Sequence, residues 1–258
     1  MTSINKNICR TDKYEFCEEM VMVMNERLAR IRESERKSHT AIYTNEKLYH
    51  SDSWLQRPIK TVREIVQFFD GYNELRVLDL GCGVGRNSIY IVEQFRDINC
   101  SVDCVDLLDI AIEKLMENAT EHNVSSRING ITTSIEEYEI QRNSYDFIMA
   151  ISALEHIDSQ DSFQRKLLEI KDGMRKNGIV CLIINSNIVE VCLETNNPME
   201  AQFEVNLPTE TIQTLLNEIF GEWEILKTSV VSQQYDIPRE LFTSRLNTNV
   251  ITYVARRL

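Results

Sequence analysis

The chain has 258 residues, with 28 Lys and Arg against 40 Asp and Glu, for a net charge of −12. Hydrophobic residues at 43% and charged residues at 26% are ordinary globular values, which excludes wholesale disorder, and the longest apolar runs, residues 20–24 and 179–184, fall far short of the roughly 18 needed to span a bilayer. The acidic balance argues against nucleic acid as a partner, and the opening MTSINKNICRTDKYE has no apolar segment of signal-peptide type, so the expected location is the cytoplasm.

In chain order, Cys17, Val21, Met24, Leu28 and Ile31 alternate spacings of four and three and predict an amphipathic stripe on a long helix. Its charges, Arg27, Arg30, Arg32, Arg36 and Lys37 against Glu26, Glu33 and Glu35, are mixed in sign and read as a solvated face. A polar stretch with Tyr43, Tyr49, His50 and Trp54 follows, and Pro58 starts a second helix through residue 69. Residues 1–57 are thus expected to form an N-terminal helical extension, and 58–258 the main domain.

Residues 75–80 read as a first strand, 86–95 as a helix and 101–106 as a second strand. Asp109, an N-cap type, opens the next helix, with Ile112, Leu115, Met116 and Ala119 on one face. Strands at 128–134 and 145–151, a helix at 159–175 and an apolar strand at 178–185 continue the alternation. Such alternation predicts right-handed βαβ units and a parallel sheet covered on both faces. Thr209 then caps a helix to residue 220, and 223–231 and 249–256 read as two strands with no helix between them, hence an antiparallel C-terminal edge. The intervening 232–248 reads as a loop carrying Arg239 and Arg245. The whole is a mostly parallel, seven-stranded α/β sheet of doubly wound type.

The seven cysteines (9, 17, 82, 100, 104, 181, 192) and four histidines lack a zinc-ligand spacing, so reduced, buried thiols and no metal are expected. Three of the eight glycines fall in Asp79-Leu-Gly81-Cys-Gly83-Val-Gly85, between strand and helix. Such a loop lets backbone approach a ligand, with the helix N-terminus facing it. The dinucleotide pattern G-x-G-x-x-G needs glycine at 86, where Arg86 stands. Asp79, two positions ahead of the first glycine, would repel a pyrophosphate and suits a ligand carrying ammonium or sulfonium charge, which fits S-adenosylmethionine.

VLDLGCGVGRNSIYI is similar to the first motif of class I S-adenosylmethionine-dependent methyltransferases, and its GRNS continuation most resembles small bacterial members of the tellurite-resistance type. The resemblance covers residues 58–185 well and the remainder more weakly. It implies a Rossmann-like fold and S-adenosylmethionine as cofactor. It places Asp79, Gly81, Cys82, Gly83 and Gly85 at the methionine part of the cofactor. Asp106, with Leu107 beside it, is placed at the ribose hydroxyls, Asp103 being the substitute. Family members often carry an acid at the end of strand three, where this chain has Thr133-Ser134-Ile135-Glu136; Ser134 and Ile135 would take the adenine. FIMAISALEHI is similar to the fourth motif, with Ile151 and Ser152 lining the cofactor and Glu155 and His156 just beyond.

Methyl transfer from a sulfonium chiefly requires a positioned acceptor. A hydroxyl acceptor also needs a base, for which His156, Glu155 and His50 are the candidates. The expected acceptor is a small molecule, bound by a monomer or homodimer with no membrane partner. The alternatives are a protein or RNA acceptor docked by the N-terminal helix, or a catalytically silent binding protein. Tyr43, Tyr49 and Trp54 mark residues 41–56 as a lid over the acceptor or as fixed packing.

Overall fold

The computed structural model describes residues 11–238 and 242–258, with side chains from 22 to 237 and from 242 onward. Cys9 and Arg239, and the side chains of Cys17 and Val21, lie outside the described residues. Helix α1 (Thr11–Asn45) leads into a short α2 (Lys60–Ile65), extended by a 3-10 turn to Phe69. Then follow β1 (Glu74–Leu80), α3 (Arg86–Gln94), β2 (Asn99–Asp106), α4 (Asp109–Glu121), β3 (Ile128–Thr132) and β4 (Tyr145–Ile151). The chain ends with α5 (Gln160–Gly173), β5 (Met174–Cys192), β6 (Pro198–Met199), α6 (Thr209–Phe220), β7 (Glu224–Pro238) and β8 (Thr243–Arg256).

The sheet runs in the order β3-β2-β1-β4-β5-β8-β7, with β1 to β5 parallel and β8 and β7 antiparallel. Strand side chains alternate between two apolar layers, as the period of two demands. Leu75, Val77, Phe147, Met149, Ile179 and Cys181 enter the layer under α2, α3 and α4. Leu78, Leu80, Ile148, Ala150, Val180 and Leu182 enter the layer under α5 and α6. Because the chain builds outward from β1 to β3 and then returns to β4, a crevice opens at the carboxyl ends of β1 and β4. Among the described residues no helix is long and apolar enough to cross a membrane.

Several expected boundaries are corrected. The sheet has eight strands, the eighth being the two-residue β6 paired to β5. The fifth strand does not stop at 185: Asn187 takes a positive φ of 49°, the register shifts between Ser186 and Val189, and pairing with β8 resumes. Residues 232–248, read as a loop, are mostly paired strand, and Arg245 is held bidentately by Asp236 across it. Polar composition hid this segment: β7 is exposed along it, and β8 buries Ser244 and Thr248 alongside Leu246. The caps also move by one residue, Leu108 preceding α4 and Pro208 preceding α6. Helix α1 continues through Tyr43, which the sequence had placed in a polar stretch beyond it. Met24, assigned to its apolar stripe, is exposed, whereas Ile31 is fully buried.

Candidate active site

The loop after β1 is folded by its glycines. Gly81, Gly83 and Gly85 all adopt positive φ. A side chain at Gly81 would stand 2.4 Å from the Ala153 Cβ. The Gly81 and Cys82 amides donate to the Val105 carbonyl at 2.8 and 3.0 Å, tying the loop to the end of β2. Asp106 completes the tie: one carboxylate oxygen accepts from the Gly83 amide at 2.8 Å, the other from Leu108 at 3.0 Å. A carboxylate has about four lone-pair positions, so two acceptor positions are left over. Burial pushes the Asp106 carboxyl up, and the Leu108 and Gly83 amides with the charges of His39 and His156 pull it back.

A solvent-open cavity lies over this loop. Each of β1 to β4 sends residues to its wall from its carboxyl end: Gly81; Asp106 and Leu107; Ser134 and Ile135; Ser152, Ala153 and His156. Ser134 is 4% exposed and its hydroxyl has no hydrogen-bond partner, an orphan that calls for a ligand contact. Ser152 holds a positive φ of 51°, fixed by its amide donating to the Ile183 carbonyl at 2.7 Å. The remaining wall comes from α1: Arg32, Glu35, His39 and Tyr43 are spaced three, four and four apart and share one helix face. Glu204, from the segment between β6 and α6, closes the far side.

His156 sits in a 3-10 turn after β4. Its Nδ1 is 2.9 Å from Glu204 Oε2, and its ring stacks on Phe203 at 5.0 Å and 26°. Burial disfavours the charged ring, but the Glu204 hydrogen bond and the charges of Glu35, Glu155 and Glu204 outweigh it, and the ring is pushed up to about 9.

Residues 77–178 match a family described as methyltransferase domain. Over these residues the chain is similar to methyltransferase domains. Among curated proteins, the ubiquinone biosynthesis O-methyltransferase of Rickettsia bellii (strain OSU 85-389) is 26% identical over 108 residues, 42% of each chain. The carboxy-S-adenosyl-L-methionine synthase of Shewanella piezotolerans is 26% identical over 127 residues, 48% of this chain and 49% of that one. The chain therefore spans under half the length of these relatives. Of solved structures, TehB from Haemophilus influenzae superposes with a TM-score of 0.58 at 20% identity, covering 77% of this chain and 62% of that chain. The [4+2]-cyclase SpnF superposes with a TM-score of 0.54 at 15% identity, covering 80% and 83%. These likenesses are of fold.

The fold brings Tyr43, Gly81, Asp106, Leu107, Ser134, Ile135 and His156 to one cavity, and leaves other anticipated residues outside its wall. Asp79, 1% exposed, accepts from the Ser88 hydroxyl and so ties β1 to α3. Burial pushes it up to about 7 against that hydrogen bond, with Asp106 adding to the rise and Arg86 opposing it. Cys82 is buried against its own loop, with Sγ 3.5 Å from the Gly83 carbonyl. Gly83 meets the Tyr43 hydroxyl, and Gly85 packs where a Cβ would stand 2.3 Å from Leu115. Ile151 ends β4, and its successors line the cavity instead. Glu155 is buried and accepts from the Asn185 side chain and amide, burial raising its carboxyl. Asp103 is taken by the Tyr145 hydroxyl at 2.8 Å and by Asn129. Tyr49 donates to the Arg86 carbonyl at 2.7 Å, and Trp54, 53% exposed, lies under the Arg86 guanidinium. His50 is exposed.

Sequence reasoning missed Arg32, Glu35, His39, Glu136 and Glu204. For the first three a signal existed, since with Tyr43 they repeat at helical spacing. Arg32 and Glu35 read by composition as part of a solvated face. Glu136 stands directly after Ser134 and Ile135, in the stretch already singled out, and Glu204 carries no local pattern at all.

Proposed function

We propose that this chain binds S-adenosylmethionine in the cavity and transfers its methyl group to a small-molecule acceptor. The observation that carries this is one cavity holding both the spare acceptor positions of Asp106 and the orphan Ser134 hydroxyl, with His156 in the same wall. Asp106 would accept the two ribose hydroxyl protons, and Ser134 with Ile135 would hold the adenine. When bound, the cofactor supplies a methyl group on a good leaving group, so the protein's task is alignment and exclusion of water. The α1 face roofs the cavity for that purpose. For a hydroxyl acceptor, the neutral form of His156, populated as pH rises toward about 9, is the base within the wall.

The Rickettsia relative, named for ubiquinone biosynthesis, supports a small acceptor. A docking role for α1 toward RNA would need free arginines. Arg27 and Arg30 instead pair with Glu200, Arg32 with Glu136, and Arg36 with Asp109, all within the chain. Fold alone does not carry the chemistry, since SpnF is named as a cyclase.

Calorimetric titration tests the reading. S-adenosylmethionine and S-adenosylhomocysteine should bind saturably and NAD should not. Asp106→Ala should weaken both by at least about tenfold, because hydrogen bonds to a charged acceptor contribute about 1.5–3 kcal/mol each. Binding of NAD with none of S-adenosylmethionine would overturn the assignment. Cofactor binding without methylated product across hydroxyl, thiol and amine acceptors would retain the site and remove the transferase activity.

A further inference from the structure

The residue that reads least like a methyltransferase element is Glu204. It lies outside the family-matched residues, in an irregular segment, yet its side chain is only 2% exposed. A buried carboxylate is costly unless its oxygens are engaged; here one is hydrogen-bonded and the other lies within ion-pair distance of a guanidinium. Oε2 meets His156 Nδ1 at 2.9 Å, and Oε1 stands 3.7 Å from Arg32 Nε. Arg32 is itself anchored to Glu136. The segment is fixed from below by the Val205 amide, which donates to the Glu155 carbonyl at 2.9 Å, and from above by Arg27 reaching the Phe203 carbonyl at 2.9 Å. Phe203 stacks on the imidazole and sets its plane.

We propose that Glu204 is the positioning residue for His156: its carboxylate accepts a hydrogen bond from Nδ1–H of the neutral ring, fixes the tautomer, and leaves Nε2 as the nitrogen that removes a proton from a hydroxyl acceptor. The assignment rests on the proposed transfer reaction at this cavity and narrows its acceptor to a hydroxyl-bearing small molecule. In that step the acceptor O–H bond breaks and an Nε2–H bond forms. The imidazolium is balanced by the Glu204 carboxylate, and its proton later leaves to water. Arg32 keeps Glu204 in place, so the arrangement is complete only with α1 seated.

The charged or titratable groups around the ring are Glu204, Glu155 on its own turn, Glu35, His39 and Arg32 on α1, Asp106 at the end of β2, and Glu136 after β3. Glu204 alone of these is hydrogen-bonded to it. Its effect is therefore separable by changing one oxygen for nitrogen.

The test is ring 15N NMR of the full chain, free and saturated with S-adenosylhomocysteine, with the His156 signals identified by their loss in His156→Gln. The wild-type ring should titrate well above the ordinary histidine value of about 6.5 and, once neutral, show one tautomer with Nδ1 protonated. Glu204→Gln should lower the titration by at least about one pH unit and mix the tautomers, and Glu204→Asp should restore part of the shift. Circular dichroism and calorimetric affinity for S-adenosylhomocysteine report separately on the fold and on the cofactor reading. A wild-type His156 that titrates near the ordinary value, or a folded Glu204→Gln chain with unchanged titration and tautomer, would overturn the proposal. The wild-type measurement decides it even if the variant does not fold.

Discussion

Asp79 and Asp106 flank the glycine loop and are put to different uses. Asp79 turns into the layer beneath α3, where Ser88 is its hydrogen-bond partner and water is excluded. Asp106 stays at the cavity wall and keeps acceptor positions free. The consequence for Asp79 is a pH-dependent stability. Its folded-state value, about 7, is above its ordinary 3.8, so the folded protein binds the proton more tightly than the unfolded chain does. Stability from this group is complete below about pH 4 and is lost as pH rises through about 7. Asp79→Asn removes the titration. Urea unfolding at pH 4.5 and 7.5 should show the variant gaining on wild type by up to about 3 kcal/mol at the higher pH. Parallel behaviour at both pH values would show that Asp79 does not titrate in this window.

Helix α1 is a surface element by composition and a cavity wall by position. Its propensity as a helix owes little to partners, but its docking rests on Ile31 and Tyr43, which are buried, and on arginine pairs that are mostly exposed. Exposed pairs of this kind stabilise weakly and are screened by salt. The following segment is held differently. Leu48 and Leu55 are core residues, Tyr49 is bonded to Arg86, and the Arg86 guanidinium covers Trp54. Hydrogen exchange should therefore show residues 46–56 equally protected with and without S-adenosylhomocysteine, while residues 28–43 of α1 slow when it binds. That outcome assigns any closing motion to the helix face carrying Arg32, Glu35 and His39. Slowing confined to 46–56 would return the lid to the shorter segment, and no change in either would show a fixed roof.

At the scale of the molecule, the sheet is completed by strands beyond the family-matched residues. β5 is paired to β8 from Ile179 to Cys192, and Ile251, Val254 and Ala255 of β8 fill both apolar layers. Removing β7 and β8 would expose the edge of β5 and strip cover from residues 179–184. Each buried aliphatic side chain there contributes about 1.5–3 kcal/mol, which is large beside a typical domain stability of about 5–15 kcal/mol. A chain ending at residue 222 should lose its cooperative thermal transition and bind a hydrophobic dye, as followed by circular dichroism and fluorescence. A cooperative transition in that fragment would show that the parallel half folds alone.

Strand and helix periodicity made the alternating βα core readable from residues alone. The tight glycine cluster marked the ligand loop, because only glycine tolerates positive φ at three closely spaced positions. β4 begins and ends at the residues its apolar pattern indicates, and α6 ends where its pattern does, since a buried strand and an amphipathic helix each carry their signal locally. The cavity's far wall had no such signal. Glu136 and Glu204 reach it from irregular segments, and Arg32, Glu35 and His39 look solvent-facing until α1 is laid across the sheet. Whether a charged side chain meets water or a partner depends on chain segments more than a hundred residues away, as with Arg32 and Glu136. The sequence by itself determined the glycine loop and the βα alternation on which the crevice is built. Only tertiary packing decided which charges face it, because burial and pairing are properties of distant segments brought together.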